Sequence, residues 1–209
     1  MEYYHNIITE KSFQLLQQLR RDYHFILIGG WAVFLYTHSL KSKDIDIVID
    51  YDELEKLKKK FTVVKNDRLK KYEIKIDGID IDIYLPFYSE LGIPAEEIQK
   101  YAGTREGFTV PQIEILLILK QVACAGRQGT PKGEKDKIDI FSLLALREIN
   151  WKLYKKLTGA AGLNYLSDEL KSLLKQTMEI KELDINQAKM AKLKKEILGL
   201  ICDWLTAER

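Results

Sequence analysis

Two segments of this chain alternate acidic and aliphatic residues almost without a break: DIDIVID at 44–50 and IDIDIYL at 79–85. A repeat of two leaves a backbone little choice. In a helix those acids would circle the axis and no face could be buried. In a strand every acid leaves one face and every Ile the other. Both segments are therefore read as strands, each with an apolar face for a core and an acidic face directed away from it. The second follows KKYEIKID (70–77) across Asp77-Gly78, a pair suited to a tight two-residue hairpin turn, and Pro86 ends it.

The rest of the chain arranges itself around these strands. Residues 7–21 place Ile8, Phe13, Leu15, Leu16 and Leu19 near helical spacing. HFILI (24–28) reads as a short buried strand running into Gly29-Gly30, and WAVFLYTHS (31–39) as a helix opening directly after the glycines. YDELEKLKKK (51–60) reads as a charged helix and FTVVK (61–65) as a strand. From residue 111 the character changes. Pro111 suits the first turn of a helix, and PQIEILLILKQVACAG runs to a glycine stop at Gly126. A loop over 127–135 leads into a helix at DKIDIFSLLALRE. Further helices are expected near 151–158, 165–181 and 186–206, the last with a stripe of Leu193, Ile197, Ile201 and Trp204/Leu205. The expected fold class is α+β: a small mixed or antiparallel sheet with flanking helices over residues 1–108, then a helical portion over 109–209.

Composition excludes several classes. Hydrophobic residues make up 46% of the 209, enough for a sizeable core. The net charge of +2 gives no global basic field of the kind a dedicated nucleic-acid binder carries, though a local basic cleft fits it. Cys124 and Cys202 have no partner at metal-ligand spacing and read as two reduced core thiols. His5, His24 and His38 are scattered, which disfavours zinc. No run of 18 apolar residues is present and MEYYHNIITEK is not a signal peptide, so a soluble cytoplasmic protein without a membrane role is expected.

Three features carry chemistry. Gly29-Gly30 stands where a strand hands over to a helix, and a helix N-terminus offers N–H groups and partial positive charge to an anion such as a phosphate. Asp44 and Asp46, two apart on a strand, leave the same face, where a hard divalent cation between them removes their repulsion. Asp80 and Asp82 repeat that pattern and share one face, so parity alone does not choose which of them joins the first pair. Three carboxylates together can hold two metal ions.

In this order the residues resemble a known signature. GGWAVFLYTHSLKSKDIDIVID is similar to that of the DNA polymerase β-type nucleotidyltransferase superfamily, in which a Gly-Gly or Gly-Ser turn precedes an Asp-x-Asp or Asp-x-Glu strand by about a dozen residues. Thirteen residues separate Gly30 from Asp44 here. IDGIDIDIYLP resembles the strand of the third carboxylate, and the family's spacing favours Asp82 over Asp80. LLILKQVACAGRQGTPKGEKDKIDIFSLL resembles the AbiEii-type nucleotidyltransferases of abortive-infection and toxin–antitoxin systems, with Lys120, Ala123, Arg127, Lys135, Asp136 and Asp139 on the pattern's positions. The resemblance spans roughly residues 25–145. It departs where Gly-Gly-Trp replaces a hydroxyl-bearing turn and where Lys41-Ser42-Lys43 replaces Arg and Thr.

The resemblance implies an enzyme. Its activity would be transfer of a nucleoside monophosphate from an NTP to an acceptor hydroxyl on a tRNA 3′ end, a protein or a small molecule. Asp44, Asp46 and Asp82 would be the catalytic metal ligands for Mg²⁺, with two ions. Gly29, Gly30, Lys120, Arg127 and Asp136 would bind the nucleotide, and the helical portion would complete the site. An antitoxin is the partner implied. The alternative is a catalytically inactive member that binds a nucleotide or a partner as a regulatory module.

Overall fold

The computed structural model describes residues 2–206, and side chains over 7–201. His5, Cys202, Trp204 and Leu205 lie outside the described side chains, so the expectations resting on them are not taken further. The chain divides into two compact units, Met1–Gln112 and Ile113–Arg209. Among the described residues no helix is long and apolar enough to cross a membrane.

The first unit is built on a five-stranded sheet in the order β1-β2-β5-β4-β3. The strands are β1 (Ile26–Ile28), β2 (Ile45–Val48), β3 (Val64–Asn66), β4 (Lys71–Ile76) and β5 (Ile79–Tyr84). The sheet is mixed: β2 runs parallel to β5, and the other neighbours are antiparallel. Ile45, Ile47, Ile81 and Ile83 are buried, while Asp46, Asp80, Asp82 and Tyr84 on the alternate positions keep some exposure. That is the two-faced strand pair the alternation dictates. The Asp77-Gly78 turn is a hairpin with both residues at positive φ, 50° and 80°, which the twist of the flanking strands favours.

Helices close the unit. They are α1 (Glu2–Asp22), α2 (Gly29–Thr37), α3 (Tyr51–Lys60) and α4 (Ala95–Lys100). Leu16 and Leu19 of α1 join Trp31, Val33 and Leu35 of α2 in the core. The Trp31 indole donates to Ser12 Oγ at 2.9 Å, so the one polar atom of that large ring is satisfied inside. A hairpin of β6 (Ala102–Arg105) and β7 (Phe108–Pro111) follows. Its Arg105 donates to the carbonyls of Leu35 and Tyr36 at 2.7 and 3.4 Å, placing a cation on the carbonyl end of α2.

Several sequence expectations need correction. The strand at 44–50 is shorter: Asp44 sits in the bend before β2, and the Asp50 side chain accepts from Glu53 N at 2.8 Å as the N-cap of α3. The strand at 61–65 begins only at Val64. Pro111 does not open a helix. It ends β7, paired with Ala102, and its carbonyl accepts from Tyr36 Oη at 2.9 Å. Neither α4 nor the β6–β7 hairpin was legible, because residues 86–110 carry no sustained period.

The second unit is helical among its described residues: α5 (Ile113–Gly126), α6 (Pro131–Ala145), α7 (Trp151–Ala160), α8 (Leu166–Gln176) and α9 (Gln187–Thr206). Ile115, Leu116, Leu117 and Ile118 are all fully buried, so α5 is apolar around its whole girth and packs as a central helix. The loop expected over 127–135 ends at Thr130. There α6 begins, with Pro131 in its first turn and Thr130 Oγ1 accepting from Gly133 N at 3.1 Å. Lys135 thus belongs to the helix. Cys124 is half-buried, a free cysteine whose thiol lies at 3.7 Å from the Gly133 carbonyl and whose pKa burial pushes up.

Candidate active site

In the first unit the strands place two acids in direct register. Asp46 on β2 pairs with Asp82 on β5, and Asp82 on its other side pairs with Glu73 on β4. Asp80 pairs with Lys75 instead, at 3.2 Å, with its side chain 49% exposed. The geometry separates what parity could not: Asp82, 20% exposed, is the acid beside Asp46. Burial pushes the Asp82 carboxyl above its ordinary range, Lys71 pulls it back, and the neighbouring Asp46 charge adds to the rise. Tyr84 Oη lies 3.4 Å from Asp46 Oδ1.

Gly29 stands against the Asp46 side chain of this pair. It opens α2 at φ 68°, and an added Cβ would lie 2.1 Å from Asp46 Oδ2 and 2.7 Å from its Cγ. Glycine is required twice, for the left-handed backbone and for the space. Ile28, the N-cap residue, supplies no side-chain cap to the helix start, and no acid lies in the first turn. A helix N-terminus and a carboxylate pair therefore face the same small volume. Gly30 is buried in the first turn at ordinary φ. Gly29→Ala is expected to cost about 1–3 kcal/mol of stability and to displace Asp46. Urea unfolding and nucleotide binding on the purified variant check this.

Two neighbours escaped the sequence reading. Lys71 Nζ lies 2.6 Å from Asp82 Oδ2 and 2.9 Å from Glu73 Oε1, with its side chain 12% exposed. Burial works against its charge, yet the two carboxylates outweigh it and hold the ammonium above its ordinary pKa. Lys71 in turn holds Glu73 below the usual carboxylate range, with Asn66 donating to the same oxygen at 3.0 Å. The signal was available: an Asp77-Gly78 turn pairs Ile76 with Ile79, and counting outward pairs Glu73 with Asp82.

The donor set suits a hard divalent cation in chemistry. Two carboxylates stand in register on adjacent strands, and the missing Cβ of Gly29 leaves room at Asp46 Oδ2. Among the described residues no three His, Cys, Asp or Glu side chains gather as a ready metal cluster. The positive charge at Asp82 is Lys71.

In the second unit Lys120, Asp136, Asp139 and Arg127 come together. Lys120 Nζ lies 2.9 Å from Asp136 Oδ1 and 2.7 Å from Asp139 Oδ2, and Arg127 Nη1 lies 3.2 Å from Asp136 Oδ2. Lys120, Asp136 and Asp139 are buried, while Arg127 is 48% exposed. Asp139 Oδ1 has no hydrogen-bond partner. Two buried carboxylates hold Lys120 protonated well above its ordinary range, although burial alone would lower it. Burial pushes Asp139 up. Lys120 is thus not a lysine reaching along an apolar helix toward solvent. It ties α5 to α6.

A protein of H. pylori described as a candidate nucleotidyltransferase is similar to the chain at TM-score 0.51 and 19% identity, over 92% of this chain and 96% of that one. The antibiotic-resistance factor ANT(2'')-Ia is similar at TM-score 0.52 and 14% identity, over 80% of this chain and 98% of that one. The chain has the nucleotidyltransferase fold. A second structure of ANT(2'')-Ia, in complex with adenylyl-2''-tobramycin, is similar at TM-score 0.50, 14% identity and 77% and 99% coverage. No protein-family model matches the sequence. No curated protein matches it either. The likeness to these solved structures lies in backbone shape, at 14–19% identity.

Proposed function

We infer that the chain is an enzyme that transfers a nucleoside monophosphate from an NTP to an acceptor hydroxyl. The observation that carries this is the register of Asp46 with Asp82 beneath the Gly29 turn at the start of α2. In such a step the acceptor oxygen bonds to the α-phosphorus, the bond from α-phosphorus to the bridging oxygen breaks, and pyrophosphate leaves. Mg²⁺ held by Asp44, Asp46 and Asp82, as two ions in the resemblance's arrangement, would neutralise triphosphate charge and lower the pKa of the attacking hydroxyl. The N-terminus of α2 at Gly29-Gly30 supplies N–H groups for phosphate oxygens. Positioning and charge neutralisation account for most of the catalysis in this chemistry.

In the helical unit Lys120 and Asp136 pair with each other and tie α5 to α6, and the resemblance would give both a part in binding the nucleotide. Arg127 keeps half of its side chain exposed and is the group of the four available to clamp a phosphate. ANT(2'')-Ia is described in complex with adenylyl-2''-tobramycin. For this chain a small-molecule hydroxyl, a tRNA 3′ end and a protein hydroxyl are the acceptors to test, with an antitoxin as the partner implied by resemblance.

The experiment incubates the purified chain with α-labelled NTPs, Mg²⁺ and each acceptor class in turn. Asp82→Asn is expected to reduce labelling at least about a hundredfold, as loss of a group that stabilises developing charge does. Asp80→Asn, on the same strand face but paired with Lys75, is expected to stay within about twofold, as for surface substitutions. Equal losses for the two would contradict the assignment of Asp82.

A further inference from the structure

The Lys71–Asp82–Glu73 bridge has no part in the transfer chemistry described above, yet it occupies the same carboxylate. An ammonium 2.6 Å from Asp82 Oδ2 stands where a metal ion bound to that oxygen would feel it most strongly. A divalent cation and a lysine ammonium on one carboxylate repel each other. One of them must yield. Lys71 has somewhere to go: Glu73 Oε1 is already at 2.9 Å, on the adjacent position of the same strand face. Glu73 also keeps the Asn66 amide, so it is held in place whichever way the ammonium leans. With only 12% of its side chain exposed, Lys71 is little screened by water.

We propose that Lys71 is a positioning residue that holds the Asp82 carboxylate in register before a cation arrives and competes with that cation for it, Glu73 receiving the displaced ammonium. Three consequences follow from the charges alone. The chain keeps Asp46 and Asp82 adjacent without metal, because Lys71 offsets their repulsion. It binds a bare divalent cation weakly. A cation that arrives with the negative charge of a triphosphate displaces Lys71 more readily than one arriving alone. This rests on the metal-dependent reading of the site, and the test separates the two.

The probe is Mn²⁺ alone, titrated into the full chain and followed by the water-proton relaxation rate. Lys71→Met and Lys71→Gln remove the charge while keeping most of the packing, and Lys71→Arg keeps the charge. The expected result is Mn²⁺ affinity raised roughly tenfold in the Met and Gln variants, from the loss of one like charge beside the ion. Lys71→Arg is expected to stay within about twofold of the unaltered chain, since the competing charge is retained. Use of two neutral variants guards against one that folds poorly, and circular dichroism on each confirms the fold. Equal, measurable affinity in all four proteins would overturn the role of Lys71 and leave the metal reading standing. No binding of Mn²⁺ to any of the four would overturn the metal reading itself, and the role of Lys71 with it.

Discussion

With Asp46 replaced by asparagine, the chain is expected to transfer no measurable label from an α-labelled NTP, a loss of at least about a thousandfold. The substitution is nearly isosteric, so the close approach of Gly29 to this side chain is preserved. What disappears is one negative charge in direct register with Asp82. The fold is expected to be retained. The Asp46 charge helps push the Asp82 carboxyl up, so its removal relieves a repulsion and stability stays level or rises slightly. The variant also loses any stabilisation of the native state by Mg²⁺ and NTP, because ligands stabilise only what binds them. Activity and thermal unfolding measured on the same preparation check both halves. A variant that is inactive because it is unfolded would support neither.

Lys120→Met has the largest expected effect on stability. The substitution leaves Asp136 and Asp139 buried without the ammonium that bridges them, with Arg127 still on Asp136 and the Lys135 charge still acting on Asp139. Breaking a buried ion pair from one side costs about 3–5 kcal/mol, because the remaining charge is uncompensated. Adding Asp139→Leu to Lys120→Met should recover a good part of that loss, since it removes the stranded charge. The pH dependence follows from the direction of the Asp139 shift. Burial raises its folded pKa above the ordinary 3.8, so the native state takes up a proton more readily than the unfolded chain. The contribution of Asp139 to stability therefore rises as pH falls from neutrality through its folded pKa and stops rising below 3.8, and comparing Lys120→Met and Asp139→Leu with the unaltered chain isolates it. That rise is steeper in Lys120→Met, where the nearest ammonium no longer opposes protonation and only the Lys135 charge still does. Lys120 itself, held above 10.5, contributes fully at neutral pH and loses its effect only under strongly alkaline conditions. Urea unfolding at several pH values measures all of this. A cost below about 1 kcal/mol, the range of an exposed pair, would contradict the buried-pair account.

What the sequence discloses about this fold depends on how local the deciding physics is. The strands at β2 and β5 and the Asp77-Gly78 hairpin were legible, because period two and turn chemistry act over a few residues. The choice between Asp80 and Asp82 was not legible from the strand itself. It depends on β2 lying parallel to β5, a pairing set by the whole sheet. Lys71 and Glu73 fall between these cases: hairpin register reaches them, but only after the hairpin is taken literally and counted outward. Asp44 and Asp50 show the limit of an alternating pattern. Both fit the period, yet one precedes the strand and the other caps a helix, because a carboxylate serves an N-cap better than a strand end. Lys120 in an apolar stretch reads as a lysine with a special task. In the helical unit it forms a buried ion pair with Asp136 and Asp139, which lie 16 and 19 residues on.

The central claim is that the α-phosphoryl group moves together with its nucleoside. Parallel reactions with α-labelled and γ-labelled NTP test it most directly, in the presence of Mg²⁺ and an acceptor set of total tRNA, the chain itself and aminoglycosides. The account predicts label on an acceptor from the α position only, release of γ label as pyrophosphate, and neither in Asp46→Asn. Transfer of the γ label to an acceptor, or α labelling that persists in Asp46→Asn, would contradict it.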